Sequence, residues 1–361
     1  MKGLILSGGT GTRLRPITYT SAKQLVPVAN KPILFYAIEA IRDANITDIG
    51  IITGDTGEEV KLAVGDGSKW GVNITYIPQE APLGLAHAVK IAHDFIKDDD
   101  FVMYLGDNLV KDGINSLVEE FRLHRGYGKQ TNCNCQILLS HVKEPQRFGV
   151  AELLDGKVVH LVEKPKKPKT DLALVGVYMF DKSIFEAVNS IKPSWRNELE
   201  ITDAIQYLID EGYDVHPHII DGWWKDTGKL EDLLEANRIM LGLIGENING
   251  NVDDKSQILG KVVVEKGAII KESVIRGPVI IGSGSKIINS YIGPFTSIHD
   301  NVTIEGSEIE HSIILADCTI QGIGSRIEDT LLGKNVKVHK SNTKPKAYRL
   351  MVGDNSEIEV I

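Results

Sequence analysis

The sequence LILSGGTGTRLRP, residues 4–16, begins as a short apolar segment and breaks into a glycine-rich turn that carries two arginines. A buried strand that ends in such a turn is how α/β proteins present backbone N–H groups to a phosphate. Arg13 and, further along the chain, Lys23 add positive charge next to this turn. The segment therefore predicts an α/β fold with a site for several anionic oxygens, such as those of a triphosphate.

Outward from this turn, residues 1–240 alternate between strand-like and helix-like patterns. Further strands are predicted at 49–53, 74–77 and 101–105, and helices at 33–43, 58–65 and 85–95. Such alternation predicts βαβ units and a Rossmann-like mixed, mostly parallel sheet. Ligands of these sheets bind at the carboxyl ends of the strands. Gly8, Gln79 and Asp107 each follow a predicted strand, so we expect them at one edge of the sheet.

The periodicity changes after residue 240. Residues 241–252 are rich in glycine and asparagine and are predicted to be a linker. From residue 253, large aliphatic side chains recur every five or six positions, as at Ile270, Ile275 and Ile281. This spacing is typical of a left-handed parallel β-helix built from hexapeptide repeats, and it predicts about four to five coils within 253–361. The tail, 348–361, is expected to cap the open end of that domain.

The composition narrows the classes of partner. The formal net charge of −9 argues against a protein that coats nucleic acid. The N-terminus leads directly into the predicted strand, and no apolar run reaches the length of a membrane span, so neither a signal peptide nor a membrane segment is expected. Cys133, Cys135 and Cys318 form an odd, sparse set that fits a reducing compartment, which indicates a cytoplasmic protein.

Two aspartates are candidates for a metal site. Asp107 follows the strand at 101–105 next to a glycine, and Asp226 lies in the segment WWKDTG at 223–228. Two carboxylates together with phosphate oxygens form a plausible shell for Mg²⁺, which prefers oxygen ligands and keeps some of its waters. For Asp107 taken alone, an ordinary Asx turn explains the sequence equally well.

The longer run from Gly8 to Tyr36 is more specific than its glycines alone. It contains GTGTRLRP at 9–16 and KQLVPVANKPILFY at 23–36. This pattern resembles the signature of sugar-1-phosphate nucleotidylyltransferases, and most closely their thymidylyltransferase branch in a long form with a C-terminal repeat domain. The resemblance implies transfer of a thymidylyl group from dTTP to glucose 1-phosphate, giving dTDP-glucose and pyrophosphate with the help of Mg²⁺.

The resemblance also implies roles for individual residues. Catalytic roles fall on Arg13, Lys23, Asp107 and Asp226, of which the two aspartates bind the metal. The residues implied to bind the nucleotide are Leu6, Gly8, Gly9, Gly11, Thr12, Arg13, Lys23, Gln24, Gln79, Gly84, Leu85 and Asp107. Those implied to bind the sugar phosphate are Asn108, Phe148, Gly149, Glu163, Lys164, Leu174, Gly176, Arg196 and Trp224.

Other functions stay open at this stage. A UTP-dependent uridylyltransferase has the same fold, and a bifunctional form adds an acetyltransferase on a longer β-helix. A non-catalytic regulatory subunit is a third alternative, although such subunits tend to lose the aspartates or the arginine of the glycine-rich turn. By analogy with other β-helix proteins, the repeat domain is expected to assemble the chain into a homo-oligomer.

Overall fold

The computed structural model describes residues 1–9, 11–19, 21–111, 113–126, 133–220 and 222–341. The chain divides into two compact units, Met1–Met240 and Leu241–Ile361. The predicted cap at 348–361 lies outside the described residues. Among the described helices, none is both long enough and apolar enough to cross a membrane.

The first unit is an α/β structure. Its strands are β1 (Lys2–Ser7), β2 (Pro27–Val28), β3 (Lys31–Pro32), β4 (Asp48–Thr53), β5 (Asn73–Pro78), β6 (Phe101–Leu105), β7 (Asn108–Val110), β8 (Cys133–His141), β9 (Gly149–Leu154), β10 (Lys157–Glu163), β11 (Leu172–Phe180), β12 (Asp214–Ile219) and β13 (Trp224–Asp226). Its helices are α1 (Ile33–Asp43), α2 (Gly57–Val64), α3 (Leu85–Ile91), α4 (His93–Ile96), α5 (Asn115–His124), α6 (Ile184–Ser190), α7 (Ile201–Asp210) and α8 (Leu230–Leu243), which runs into the second unit.

The main sheet of this unit is mixed. In the described residues its central path runs β10-β9-β11-β6-β1-β4-β5, with β8 and β12 joined beside β11. β6, β1, β4 and β5 are parallel, whereas β11 is antiparallel to β6, β8 and β9. The antiparallel part follows from tight turns such as Asp155-Gly156, whose positive φ angles suit the hairpin between β9 and β10.

The parallel half decides where ligands can bind. β1 is buried along nearly its whole length because it lies in the middle of the sheet with helices on both faces. β1, β5 and β6 end just before Gly8, Gln79 and Asp107, so these residues lie at the same edge of the sheet, as expected. The helix expected at 85–95 is in fact two, α3 and α4, because Ala92 ends the first and begins the second.

The apolar face of helix α7 fixes the position of the chain that precedes it. Its buried residues Ile201, Ala204, Ile205 and Leu208 follow the spacing of one helical face, and that face packs into the core. Glu200 precedes the helix in an extended conformation, and just upstream Leu199 donates a backbone hydrogen bond to Leu83 and accepts one from Ala86, in the segment that follows β5.

The second unit is a parallel β-helix. Its strands are β14 (Asn247–Ile248), β15 (Asn251–Val252), β16 (Gln257–Leu259), β17 (Val262–Val264), β18 (Ile269–Lys271), β19 (Val274–Arg276), β20 (Val279–Ile281), β21 (Lys286–Ile288), β22 (Tyr291–Ile292), β23 (Thr296–Ile298), β24 (Thr303–Glu305), β25 (Glu308–Ile309), β26 (Ile313–Ile314), β27 (Thr319–Gln321), β28 (Leu331–Leu332) and β29 (Lys337–His339). Together with the α/β unit, this confirms the predicted fold class.

Stacked aliphatic side chains form the interior of the β-helix. Ile275 pairs in register with Ile292, and Ile292 with Ile309, so each coil adds one side chain to a continuous column. All three are fully buried, which contributes roughly 1.5–3 kcal/mol for each side chain. Within the described residues, two of the three faces hold six strands and the third holds four, so the stack is somewhat longer than the sequence spacing predicts.

The segment predicted as a linker, 241–252, contains β14 and β15. These two strands pair with β17 and β18, so they are the first strands of the β-helix faces. This segment has the composition of a linker because the corners of a β-helix also need turn-forming asparagines and glycines. Gly250 shows this directly, since a Cβ there would lie 2.6 Å from Val264 Cγ1.

A column of serines supports one corner of the β-helix. Ser273 Oγ accepts a hydrogen bond of 3.1 Å from Ser290 N, and Ser290 Oγ accepts one of 3.3 Å from Ser307 N. Each of these hydroxyls also donates to the carbonyl two residues earlier, at 2.6 Å for Ser273 and 2.7 Å for Ser290. The column therefore satisfies buried backbone groups that the strands leave unpaired.

We expect Ser290→Ala to lower the free energy of unfolding by about 1–3 kcal/mol, because it leaves the buried N–H of Ser307 without its acceptor. Thermal unfolding of the full chain measures this loss. The matched control is Ser325→Ala, at an exposed serine of the same unit, which should leave the unfolding curve unchanged. Equal curves for both variants would show that the column does not stabilise the β-helix.

Candidate active site

Two cavities lie at the carboxyl edge of the parallel strands. The first, here called the glycine-loop cavity, has a volume of about 240 Å³. Its lining includes Leu6, Gly8, Gly9, Lys23, Gln24, Gln79, Gly84, Leu85 and Asp107, all implied by the sequence to bind the nucleotide. Leu85 and Leu105 line both this cavity and the second one, so the two spaces are neighbours.

The second cavity, here called the Glu163 cavity, has a volume of about 330 Å³. Of the residues implied to bind the sugar phosphate, those that line it are Phe148, Gly149, Glu163, Lys164, Leu174 and Arg196. Arg13 and Asp226 line this cavity and not the glycine-loop cavity. The candidate site thus consists of two adjoining compartments. Lys23 and Asp107 line the first, and Arg13 and Asp226 line the second.

Asp107 and Asp226 are brought together by a short two-stranded pairing. β7 and β13 run antiparallel, and Asp226 is in register with Asn108, the residue after Asp107. Thr227 fixes the crossing, since its backbone N–H and its hydroxyl both donate to the carbonyl of Asp107, at 3.1 and 2.7 Å. Two residues far apart in sequence are therefore held side by side between the cavities.

The two carboxylates differ in their electrostatic environment. Burial would raise the pKa of Asp107, but the ion pair with Lys23 and the hydrogen bond from Asn108 hold it below the usual value. Burial and the negative charge of Asp107 raise the pKa of Asp226 to about 6. Among the residues that the structure describes, no group hydrogen-bonds or ion-pairs with the Asp226 carboxylate, which leaves its oxygens free for another ligand.

Lys23 and Arg13 approach this pair from different sides. The Lys23 ammonium is buried, and although burial lowers its pKa, the charges of Asp107 and Asp226 raise it overall. Arg13 reaches toward Gly228, where an added Cβ would lie 3.2 Å from Arg13 Nη2 and 3.2 Å from Asp226 Oδ1. Glycine at this position therefore keeps open the space between the guanidinium and the carboxylate.

Glycines also determine the shape of the glycine-rich turn. Gly11 has φ +65°, and a Cβ on it would lie 2.9 Å from Lys23 Cβ, so glycine allows the turn to pack on the lysine. Gly11 and Thr12 themselves do not line the glycine-loop cavity. Thr12 begins a single helical turn, Thr12–Leu14, that carries Arg13.

The Glu163 cavity contains a network of charged groups. Arg196 lies 3.7 Å from Glu163, 2.9 Å from Glu198 and 3.2 Å from Glu200, and the Lys164 ammonium lies 3.1 Å from Glu163. Thr202 donates a hydrogen bond of 3.4 Å to Glu163. With Arg13 and Arg147 also in its lining, the cavity offers carboxylate acceptors for hydroxyl groups and several cations for an anionic group.

Three residues implied to bind the sugar phosphate, Asn108, Gly176 and Trp224, do not line the Glu163 cavity. Asn108 is buried, and its Oδ1 accepts a hydrogen bond of 2.6 Å from Trp224 Nε1. A Cβ on Gly176 would lie 2.6 Å from the same Asn108 atom, so glycine makes room for this contact. Asn108 thus holds both the Asp107 carboxylate, to which its Nδ2 donates a hydrogen bond of 2.9 Å, and the indole of Trp224. The Trp224 ring packs edge-to-face on Phe148, with 5.4 Å between the ring centroids.

Besides two aliphatic residues, the Glu163 cavity is lined by three polar residues that are not among those implied by the sequence, namely Arg147, Tyr178 and Thr202. Arg147 precedes Phe148 and could have been found from that adjacency. Tyr178 faces the cavity from the middle of β11, and Thr202 from the first turn of α7. In the sequence both belong to the apolar patterns of their elements, so no local signal marks them.

Comparisons with known proteins identify the family of the chain. The family model for nucleotidyl transferases matches residues 2–241. The chain belongs to the nucleotidyl transferase family. Two proteins named glucose-1-phosphate thymidylyltransferase, from Streptomyces antibioticus and Streptomyces griseus, are 57% and 53% identical to this transferase over 361 residues. Each alignment covers 100% of this chain and 99% of the relative.

A solved Bacillus anthracis structure, described as a glucose-1-phosphate thymidylyltransferase in complex with a sucrose, is similar to this transferase with a TM-score of 0.61. It is 39% identical, and the match covers 66% of this chain and 94% of that one. The family predicted from the glycine-rich turn is thus confirmed.

Proposed function

We propose that this transferase moves a thymidylyl group from dTTP to glucose 1-phosphate, giving dTDP-glucose and pyrophosphate. The observation that carries the proposal is the position of the aspartate pair, with Asp107 lining one cavity and Asp226 the other. A phosphate-binding turn belongs to the first compartment, and acceptors for hydroxyl groups belong to the second. The full-length similarity to two proteins of that name supports the choice of substrates.

We propose that Asp107 and Asp226 hold Mg²⁺. Their donor set consists of carboxylate oxygens, and the described residues contain no cluster of three or more acidic, histidine or cysteine ligands. Two protein carboxylates completed by substrate phosphates and water are typical of magnesium sites. The free oxygens of Asp226 next to a second carboxylate fit this role. Bound there, the ion would neutralise phosphate charge and align the reacting oxygens.

The residues of the chain have little covalent chemistry to perform. An oxygen of the sugar phosphate, already ionised at neutral pH, forms a bond to the α-phosphorus of dTTP. The bond from that phosphorus to the oxygen that links the α- and β-phosphates breaks, and its electron pair leaves with pyrophosphate on that oxygen. Arg13, Lys23 and the backbone N–H groups of the glycine-rich turn bind the phosphate oxygens on which negative charge accumulates. No protein nucleophile and no general base are needed.

The two compartments orient the ends of the substrates. Gln79, Gly84 and Leu85, which line the glycine-loop cavity, would contact the base. Lys164 and Arg196 would bind the phosphate of glucose 1-phosphate, and Glu163 its hydroxyls. Holding both substrates in line lowers the entropic part of the barrier. A homo-oligomer assembled through the β-helix and a cytoplasmic location stay predictions.

Product analysis tests the proposal. The full chain is incubated with Mg²⁺, glucose 1-phosphate and either dTTP or UTP, and the nucleotide sugar and pyrophosphate are quantified. We expect dTDP-glucose and pyrophosphate in equal amounts, and no product when EDTA is added. Preference for UTP would show a uridylyltransferase instead, and consumption of acetyl-CoA with glucosamine 1-phosphate would show the bifunctional enzyme. Absence of any product would indicate a non-catalytic subunit.

We expect Arg196→Gln to raise the KM for glucose 1-phosphate by about 10- to 100-fold, because a charge-assisted contact to the phosphate is lost. Steady-state kinetics with each substrate varied in turn measure the effect, and the KM for dTTP should hardly change. Lys192→Gln, at an exposed cation nearby in the sequence, is the matched control. An equal rise in both KM values would place Arg196 outside the sugar-phosphate compartment.

A further inference from the structure

The side chain of Gln79 is held by two groups from the segment that follows it. Gln79 Nε2 lies 3.0 Å from His87 Nδ1 and 3.4 Å from the carbonyl oxygen of Gly84. Its other end faces the glycine-rich turn, where a Cβ on Gly8 would lie 3.2 Å from Gln79 Oε1. Gln79 lines the glycine-loop cavity, whereas His87 does not.

These contacts fix which end of the amide faces the cavity. A backbone carbonyl can only accept a hydrogen bond, so the Gly84 oxygen selects the NH₂ end of Gln79. The second hydrogen of that NH₂ group is directed at His87 Nδ1, which accepts it only with a free lone pair. Burial and the nearby Lys90 ammonium lower the pKa of His87, which favours the neutral ring, and the Gln79 NH₂ group that faces Nδ1 selects the tautomer with its proton on Nε2. Oε1 is then the end that the cavity can use.

We propose that His87 is a positioning residue that locks the Gln79 amide with Oε1 toward the base, so that the cavity selects nucleobases with a ring N–H donor. This inference rests on the proposed function, in which the base occupies the glycine-loop cavity. Thymine and uracil carry a hydrogen on N3, whereas cytosine has a lone pair there. A locked acceptor attracts the first two and repels the third. If the amide could rotate freely, Nε2 would serve cytosine equally well.

This role differs from acid–base catalysis and from packing alone. The contact of His87 is with Gln79, and neither carboxylate of the aspartate pair is among its partners in the described residues. The attacking phosphate oxygen also carries no proton that a base would have to remove. A histidine that only filled space would affect all nucleotides equally, whereas a positioning residue changes the ratio between them.

The test uses three variants of the full chain and two nucleotides. His87→Leu removes the acceptor, His87→Asn keeps an acceptor near the position of Nδ1, and His93→Leu is the control on the next helix, where the ring is 60% exposed. For His87→Leu we expect kcat/KM for dTTP to fall about five- to tenfold, mainly through KM, while the value for dCTP stays level or rises. His87→Asn should recover most of the preference, and His93→Leu should keep all of it.

A parallel loss for dTTP and dCTP in His87→Leu, with an unchanged ratio, would overturn the inference. If that variant folds poorly, His87→Phe, which keeps a ring but has no acceptor, replaces it in a double-mutant cycle: in a Gln79→Leu background, His87→Phe and the parent should give the same ratio, and a difference would contradict the coupling. Calorimetric binding of dTTP and dCTP separates the two proposals. A chain that makes no dTDP-glucose but binds dTTP in a His87-dependent way would refute the proposed function alone.

Discussion

Asp226→Asn is expected to lower kcat by at least about 100-fold, the loss typical when a charge-stabilising group is removed from a transition state. Asp107→Ala should be at least as severe. Each variant removes one of the two oxygen donors proposed to hold the metal between the cavities. Turnover with dTTP, glucose 1-phosphate and Mg²⁺ measures the loss, and thermal unfolding shows that each chain is still folded at the assay temperature.

The two substitutions are expected to differ in their effect on the stability of the folded chain. Asparagine has the shape of aspartate, and no described group relies on the Asp226 carboxylate as a hydrogen-bond acceptor, so Asp226→Asn should fold normally. Asp107→Ala also removes the partner of the buried Lys23, so some loss of stability is expected there. The control is Asp94→Asn at a fully exposed carboxylate. Near-normal turnover in both test variants would refute the metal assignment.

Arg13→Gln is expected to lower kcat/KM for dTTP by about 100-fold, because one cation that neutralises the triphosphate is lost. A Cβ on Gly228 would lie 3.2 Å from both Arg13 Nη2 and Asp226 Oδ1, so the guanidinium lies close to Asp226 in the Glu163 cavity. Varying dTTP at saturating glucose 1-phosphate measures the effect, and part of it should appear in kcat because charge moves onto pyrophosphate as the bond breaks.

Arg15 provides a matched control two residues away. Its guanidinium stacks on the ring of Tyr19, 4.7 Å from the ring centroid, and lines neither cavity. Arg15→Gln should therefore keep nearly full activity. If both arginine variants lost the same activity, the effect would come from the overall charge of the turn, and a specific role for Arg13 would be wrong.

Much of the fold was predictable because it follows from local patterns. β1 and the turn after it, the parallel strands β4, β5 and β6, and the repeat domain all carry periodicities that reveal buried faces. The segment 241–252 was harder to predict, because β14 and β15 lie among asparagines and glycines of the kind that a flexible linker also contains. A coil of a β-helix becomes recognisable only when its neighbours repeat the spacing, and the first coil has neighbours on one side alone.

The site was predictable where residues belong to contiguous motifs, as with Lys23, Asp107 and Glu163. The pairing of Asp226 with Asn108 depends on β7 and β13 meeting after more than a hundred intervening residues. The contact between His87 and Gln79 depends on the positive φ of Gly84, which turns the chain back toward β5. These are tertiary relations, and hydrophobic periodicity contains no information about them.

The most direct test of the central claim is a crystal structure of the full chain with dTDP-glucose and Mg²⁺ bound. We expect thymine next to Gln79 in the glycine-loop cavity, glucose next to Glu163 in the second cavity, and the diphosphate between them, with metal density shared by Asp107 and Asp226. A base in the Glu163 cavity, or a product bound away from the aspartate pair, would contradict that claim.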